Sequence, residues 1–407
     1  MPGGPWTGVR ISATKPAGPI SGASPWPFVL GVFALSRLLF LGVGAVAAAY
    51  LPWATPAGEP VEPPGILSYW AHWDGAWYTS IAVEGYEAYA PASTAFFPVL
   101  PMMTRVGASL GGGPALWGVL ISLVATIFAL YFLYRIAEKL RGKAVARVTT
   151  LAFAFFPTAF FLNAPYTEGL FVAFAAGSIW SANVRRDLLL AGLLGALAAA
   201  TRNSGVLLLI PLGYEWLRNR QEFGWRGAVE ISLVPAGLVG YSLFLWYRFG
   251  DPLIFADAQT VYWGRALTNP LTTLEDAWTD ARDGMSYVLD PAALFLDPAA
   301  GPTLEASGVV NIVFLGFFLV LMVIGAFVLP PGLALFSFFA MLLHILTPSP
   351  LIPLLGVPRF VLEAFPLFLV LGLLLSRSKP ALVGWLLVSG SLGMALTTLF
   401  VTWRWVA

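Results

Sequence analysis

The sequence predicts an all-α polytopic membrane protein with about eleven transmembrane helices and two long external segments, residues 51–113 and 248–307. Three observations predict it. The 407 residues are 58% hydrophobic and only 11% charged, with a mean hydropathy of +0.79; soluble domains carry about a quarter charged residues. Apolar runs near the length that crosses a bilayer recur along the chain. Lys and Arg also alternate in density between successive connections, as the positive-inside rule requires.

Taken in order, residues 1–27 are rich in Pro, Gly and Ser and read as a flexible cytoplasmic tail. The remainder, 28–407, reads as a single transmembrane domain. The first run, 28–50, has no small-residue cleavage site after it and reads as a retained helix, not a signal peptide. The further runs are 114–134, 147–164, 166–183, 187–201, 204–217, 227–247, 308–328, 331–346, 358–376 and 380–402. The stretch 95–103, AFFPVLPMM, is too short to span and is interrupted by Pro98 and Pro101. If it crossed, the basic stretch Arg135, Lys139, Arg141, Lys143 and Arg147 would face outward, so it reads as interfacial. Fourteen of the 22 Lys and Arg then lie inside, with the N-terminus, and seven outside, with the C-terminus; Arg37 lies within the first span, where a structural role is expected. Segment 248–307 holds nine acids against three arginines and reads as a solvated, partly helical cap. No internal repeat is visible.

Composition also excludes. A net charge of +1 offers nothing to a polyanion, so nucleic acid is not a partner. No cysteine means no disulfide, thiolate metal site or Cys nucleophile. There is no Walker loop, no dinucleotide fingerprint and no Asp-x-Asp pair, and two histidines make a poor metal set. The expectation is no cofactor and no metal.

What remains is a set of charges at span ends on one predicted face. Asp74 lies among Trp70, Trp73, Trp77 and Tyr78 in the first external segment; Glu168 follows the break Asn163-Ala-Pro-Tyr-Thr; Arg202 and Asn203 form another break; Arg359 and Glu363 begin a later span. Ionisable groups at membrane depth are costly and mark functional sites. Broken spans persist where they line a protein-enclosed or watery cavity. Each residue also has a plainer reading. Asp74 can cap a helix running to Gly85, the three tryptophans recur at helical spacing and can form an interfacial belt, Glu168 can simply pair with an arginine, and Arg202 and Arg359 can hold a helix break or anchor at the interface. An external site lies away from cytosolic nucleotides, which favours a lipid-linked donor.

These residues carry a resemblance. HWDGAWYTSIAVEGY followed by AFFPVLPMM resembles the first luminal-loop signature of the PIG-V-like mannosyltransferases, the GPI mannosyltransferase 2 family. FFPTAFFLNAPYTEGLF is similar to the second signature, with Tyr166, Thr167 and Glu168 in place. GALAAATRNSGVLLL is similar to the third, around Arg202, Asn203 and Gly205, and PRFVLEAFPLF resembles a looser pattern around Arg359. The resemblance implies a GT-C-like fold, a polyprenyl- or dolichyl-phosphate-mannose donor and inverting transfer. It does not imply GPI synthesis, because the Ala/Gly/Pro-rich composition and compact loops read as bacterial, with the site facing outward from a plasma membrane and another acceptor, whether glycolipid, glycan or protein.

The chemistry fits. An acceptor hydroxyl attacks the anomeric carbon while Asp74 takes its proton, and apolar indoles around Asp74 are expected to raise its pKa. Glu168 is the second catalytic candidate. Arg202 and Arg359 are expected to neutralise the lipid-phosphate leaving group, with Asn203, Trp73, Trp77, Tyr78, Tyr166 and Arg265 as further substrate contacts. The rivals are a lipid-linked sugar flippase or transporter, since broken helices and membrane charges are also transporter traits, and a non-catalytic scaffold.

Overall fold

The computed structural model describes residues 24–54, 67–299 and 301–407; the expected tail lies, up to residue 23, outside them. Among the described residues there is no strand beyond one isolated bridge position. Five helices are long and apolar enough to cross a membrane: Trp26–Tyr50, Gly113–Arg141, Arg220–Phe249, Gly301–Val328 and Lys379–Val401. Their outward faces carry exposed Leu38, Val46, Phe327 and Val388. Soluble chains bury such surface; here lipid covers it, and the protein is an integral membrane protein.

Several of the eleven expected spans are broken locally. Run 147–164 is the helix Lys143–Ala154 followed by a 3-10 turn, Ala159–Leu162; run 204–217 begins as the 3-10 segment Asn203–Leu208; run 358–376 is split into Val357–Phe360 and Pro366–Leu375. Helix Arg220–Phe249 is interrupted at Gly224, φ 61°. Apolar composition sets how much chain lies in the membrane, but prolines and charges decide where the helix stops. The stretch 95–103, expected to be interfacial and interrupted by its prolines, leads into a short helix, Val99–Ala108, that contains Pro101. The acidic segment holds three helices, Ile254–Trp263, Pro270–Val288 and Pro291–Leu296. An ion pair between Arg248 and Glu87 ties it to the first external segment.

Arg37 is structural, as expected. Its guanidinium donates to Ala159 O and Asn163 Oδ1, both at 2.8 Å, and to Ala154 O at 2.9 Å. Two of these are backbone carbonyls, at the end of Lys143–Ala154 and in the 3-10 turn after it, and a buried cation satisfies them. Thr158 Oγ1 donates to Pro358 O at 2.6 Å and joins this break to the one before Arg359. The chain's interruptions are thus bonded to one another, and they surround one cavity.

Candidate active site

Asp74 opens the helix Asp74–Glu84, which ends at Gly85 with φ 86°, where glycine was expected. The residue before it, Trp73, has φ 52° and ψ −121°, a conformation that bulky residues rarely adopt. No side chain caps this helix, so the reading of Asp74 as its cap does not hold. Asp74 Oδ2 instead accepts from Arg359 Nη1 at 2.6 Å. The same turn breaks the helical spacing read for the tryptophans. Trp70 ends the 3-10 segment Ser68–Trp70, Trp73 packs on Trp403 and Trp405, and Trp77 stacks on Phe96 with centroids 5.3 Å apart. Trp73 and Trp77 therefore back the wall of the cavity and are not in its lining; its indoles are Trp263 and Trp405. The charged partner of the Asp74 carboxylate is a guanidinium, in place of the expected shell of indoles.

The cavity holds about 850 Å³ of free space, part of it open to solvent. Asp74, Tyr78, Tyr166, Glu168, Arg202, Asn203, Arg265 and Arg359 all line it. Two close approaches build it. A Cβ on Gly75 would lie 3.1 Å from Tyr166 Cε2 and 3.2 Å from Pro165 Cγ, so glycine lets the Asp74 helix sit on the Pro165–Tyr166 break. Tyr166 Oη then donates to His72 O at 2.9 Å. At Gly205 a Cβ would lie 2.4 Å from Ala199 N, which fixes the Arg202 turn against the preceding helix.

Charges inside alternate. Arg202 Nη1 donates to Glu168 Oε1 at 2.8 Å and Thr167 Oγ1 at 3.0 Å, while its Nη2 lies 3.0 Å from Glu363 Oε1. Arg359 bridges Asp74 and, through Nε at 3.2 Å, Glu168. The latter is an ion pair without hydrogen-bond alignment. Ser204 Oγ donates to Glu363 Oε2 at 2.6 Å. Exposure separates the three carboxylates: the Glu168 and Glu363 side chains are 1% exposed and that of Asp74 is 26% exposed. Asp74 is the most accessible of the three from the cavity. Glu168 pairs with two arginines, the plainer of its two readings.

Arg265 differs from the other two arginines of the cavity. It donates to Leu355 O at 3.0 Å and Thr347 O at 3.4 Å, and no carboxylate among the described residues lies within ion-pair distance. Burial, then the neighbouring Arg359, lowers its pKa to about 10, so it stays a cation at neutral pH. The three guanidinium carbons lie 4.9, 5.5 and 4.7 Å from the ring centroid of Phe360, for Arg202, Arg265 and Arg359 respectively. Such contacts help hold desolvated cations apart from one another's charge. His72 lies outside the cavity, packed on Trp403, and burial lowers its pKa to about 4.

Sequence reading placed Glu363 beside Arg359 but gave it no site role, and it passed over Phe360, Ser204 and Trp405. A lone Phe, Ser or Trp carries no signal in sequence of the distant group it will meet.

Residues 64–219 match the family described as Mannosyltransferase (PIG-V). The match covers the first three motifs of the PIG-V resemblance; the motif around Arg359 lies beyond it. The GPI mannosyltransferase 2 of Cryptococcus neoformans var. neoformans serotype D (strain B-3501A) is 28% identical over 202 residues, 46% of this chain and 46% of that protein. That of Schizosaccharomyces pombe is 24% identical over 221 residues, 48% and 47% of the two chains. The chain spans about half the length of the curated relatives it matches. The crystal structure of ArnT from Cupriavidus metallidurans bound to undecaprenyl phosphate superposes with a TM-score of 0.51 at 16% identity, covering 90% of this chain and 63% of ArnT. That likeness shows the fold, which is GT-C-like.

Proposed function

We propose that this PIG-V-like protein is an inverting mannosyltransferase that moves mannose from a polyprenyl-phosphate donor to an acceptor hydroxyl at the external membrane face. One observation carries the reading: the most accessible carboxylate of the cavity, Asp74, shares it with an arginine, Arg265, that makes no ion pair among the described residues. The donor is a phosphodiester with one negative charge. Arg265 binds that phosphate. The acceptor oxygen attacks the anomeric carbon, Asp74 takes the hydroxyl proton, and the bond from that carbon to the phosphate oxygen breaks with its electron pair leaving on the polyprenyl phosphate. The charge that grows there meets fixed guanidinium groups. Glu168 and Glu363 orient Arg202 and Arg359, and Arg359 orients Asp74. This moves the phosphate role from Arg202 and Arg359 to Arg265, because the first two are already neutralised. The matched relatives' name supports mannosyl transfer, and the undecaprenyl phosphate bound by ArnT supports a lipid phosphate as the leaving group; the flippase reading gains nothing from either. The curated relatives are fungal, and the expectation of a bacterial plasma membrane draws no support from them.

The test is transfer from polyprenyl-phosphate-mannose by purified protein. Arg265→Ala is expected to raise donor KM and lower kcat, together a loss of about 10- to 100-fold in kcat/KM, the worth of a charge-assisted hydrogen bond of about 1.5–3 kcal/mol. Unchanged donor kinetics would remove Arg265 from the phosphate site and return Arg202 and Arg359 to candidacy. Excess EDTA is expected to leave the rate unchanged, since each carboxylate already pairs with an arginine. Loss of activity restored by Mg²⁺ or Mn²⁺ would recast Asp74 or Glu168 as a metal ligand.

A further inference from the structure

The segment Trp403–Ala407 folds back over the turn that precedes Asp74. The helix Lys379–Val401 ends in a Schellman-type turn, with Arg404 N donating to Leu399 O at 2.9 Å. The left-handed position of that turn, usually glycine, is Trp403, with φ 65°. Trp403 packs on His72 (centroids 4.3 Å apart) and edge-to-face on Trp73 (5.3 Å). Trp405 packs edge-to-face with Trp73 at 4.8 Å and also lines the cavity. Trp73 itself carries the strained backbone, φ 52°, that launches Asp74. Two bulky residues in left-handed or irregular conformations thus lie in contact beside the reactive carboxylate, and such conformations persist only where the surroundings over-determine them.

Arg404 supplies the constraint. It is 1% exposed. Its Nη1 donates to Pro52 O at 2.7 Å and Thr402 Oγ1 at 2.8 Å, and its Nη2 donates to Asp297 O at 2.7 Å. One guanidinium therefore ties this segment to the end of the first helix and to the acidic external segment. Nothing in the proposed chemistry uses Arg404, and no carboxylate among the described residues lies within ion-pair distance of it.

We infer that Arg404 and Trp403 are positioning residues: Arg404 fixes the segment whose Trp403 packs on the indole of Trp73, and through the strained backbone of Trp73 they set the Asp74 carboxylate in the cavity. The inference rests on the proposed role of Asp74, and a structural readout separates the two.

Because the chain has no cysteine, Asp74→Cys introduces a single thiol that reports on the site. In the otherwise unchanged protein and with Arg404→Ala added, the labelling rate by a water-soluble methanethiosulfonate is compared; a change of about fivefold or more is expected, since thiol reactivity follows its surroundings. In the Asp74 background, Arg404→Ala and Trp403→Ala are expected to lower kcat about tenfold or more with donor KM within about twofold, the mark of a misplaced group and not of lost binding. Trp403→Phe keeps an aromatic edge and is expected to retain most of the rate. An unaltered labelling rate overturns the inference, as does a KM increase that accounts for the whole loss. If the wild-type protein transfers no sugar, the functional reading fails while the labelling comparison still decides the clamp. If Arg404→Ala is lost from membranes, the same comparison is made with Trp403→Phe and Trp403→Ala, where equal labelling rates in both and in the parent overturn it.

Discussion

Asp74→Asn is expected to lower transfer by about 10²- to 10⁴-fold, the usual contribution of a positioned general base. The substitution keeps shape and a hydrogen bond acceptor for Arg359 while removing the proton-accepting charge. Donor binding is expected to survive, because the phosphate contact is proposed for Arg265, on a different segment. The protein should also stay folded: Asp74 is the one carboxylate of the network with a side chain 26% exposed, and Arg359 keeps Glu168 at 3.2 Å. Turnover near that of the wild type would sink the base assignment. Glu168 would then be the replacement, although at 1% exposure it would have to move to reach a substrate.

The second large effect is one of stability. Arg202→Ala removes the guanidinium that holds Glu168 at 2.8 Å and Glu363 at 3.0 Å, both with side chains 1% exposed. Removing one member of a buried ion network leaves a charge uncompensated, which costs about 3–5 kcal/mol. Arg359 still serves Glu168, so the greater share of the loss falls at Glu363, whose remaining aligned partner is Ser204 Oγ at 2.6 Å. Thermal unfolding in detergent should therefore show a strongly destabilised Arg202→Ala protein. Adding Glu363→Gln should recover a good part of the loss, because the neutral amide no longer needs the cation. A double variant as unstable as the single one would show that Arg202 acts through packing on Phe360, 4.9 Å away, and not through charge.

How much of this was legible in the sequence differs by residue type. Charge in an apolar chain is rare, so Asp74, Glu168, Arg202 and Arg359 stood out, and the structure places all four on one cavity. The sequence signal for a break, such as Pro165 or the polar pair Arg202-Asn203, also located the interruptions. Pairing was not legible. Nothing in the order of residues says that Glu363 meets Arg202, 161 positions away, or that Arg359 lies against Asp74, 285 positions away. The tryptophan spacing misled for a specific reason: residues 70, 73 and 77 fit a helix only if the chain is helical throughout, and the backbone at Trp73 is not. A left-handed or irregular tryptophan has no signature in sequence, since glycine is the residue that ordinarily marks such positions. The breaks inside spans were less legible, because hydropathy measures apolar content while the ends of helices depend on local hydrogen bonds such as those of Arg37.

The central claim is sugar transfer from a lipid phosphate with Asp74 as base. It is tested most directly by incubating membranes that hold either the wild-type or the Asp74→Asn protein with polyprenyl-phosphate-[³H]mannose, then separating donor from product. The expected result is label leaving the donor and entering a new glycoside of opposite anomeric configuration with the wild-type protein, and label remaining on the donor with Asp74→Asn. Label that crosses the membrane still attached to its lipid, or equal product from both proteins, would contradict the account.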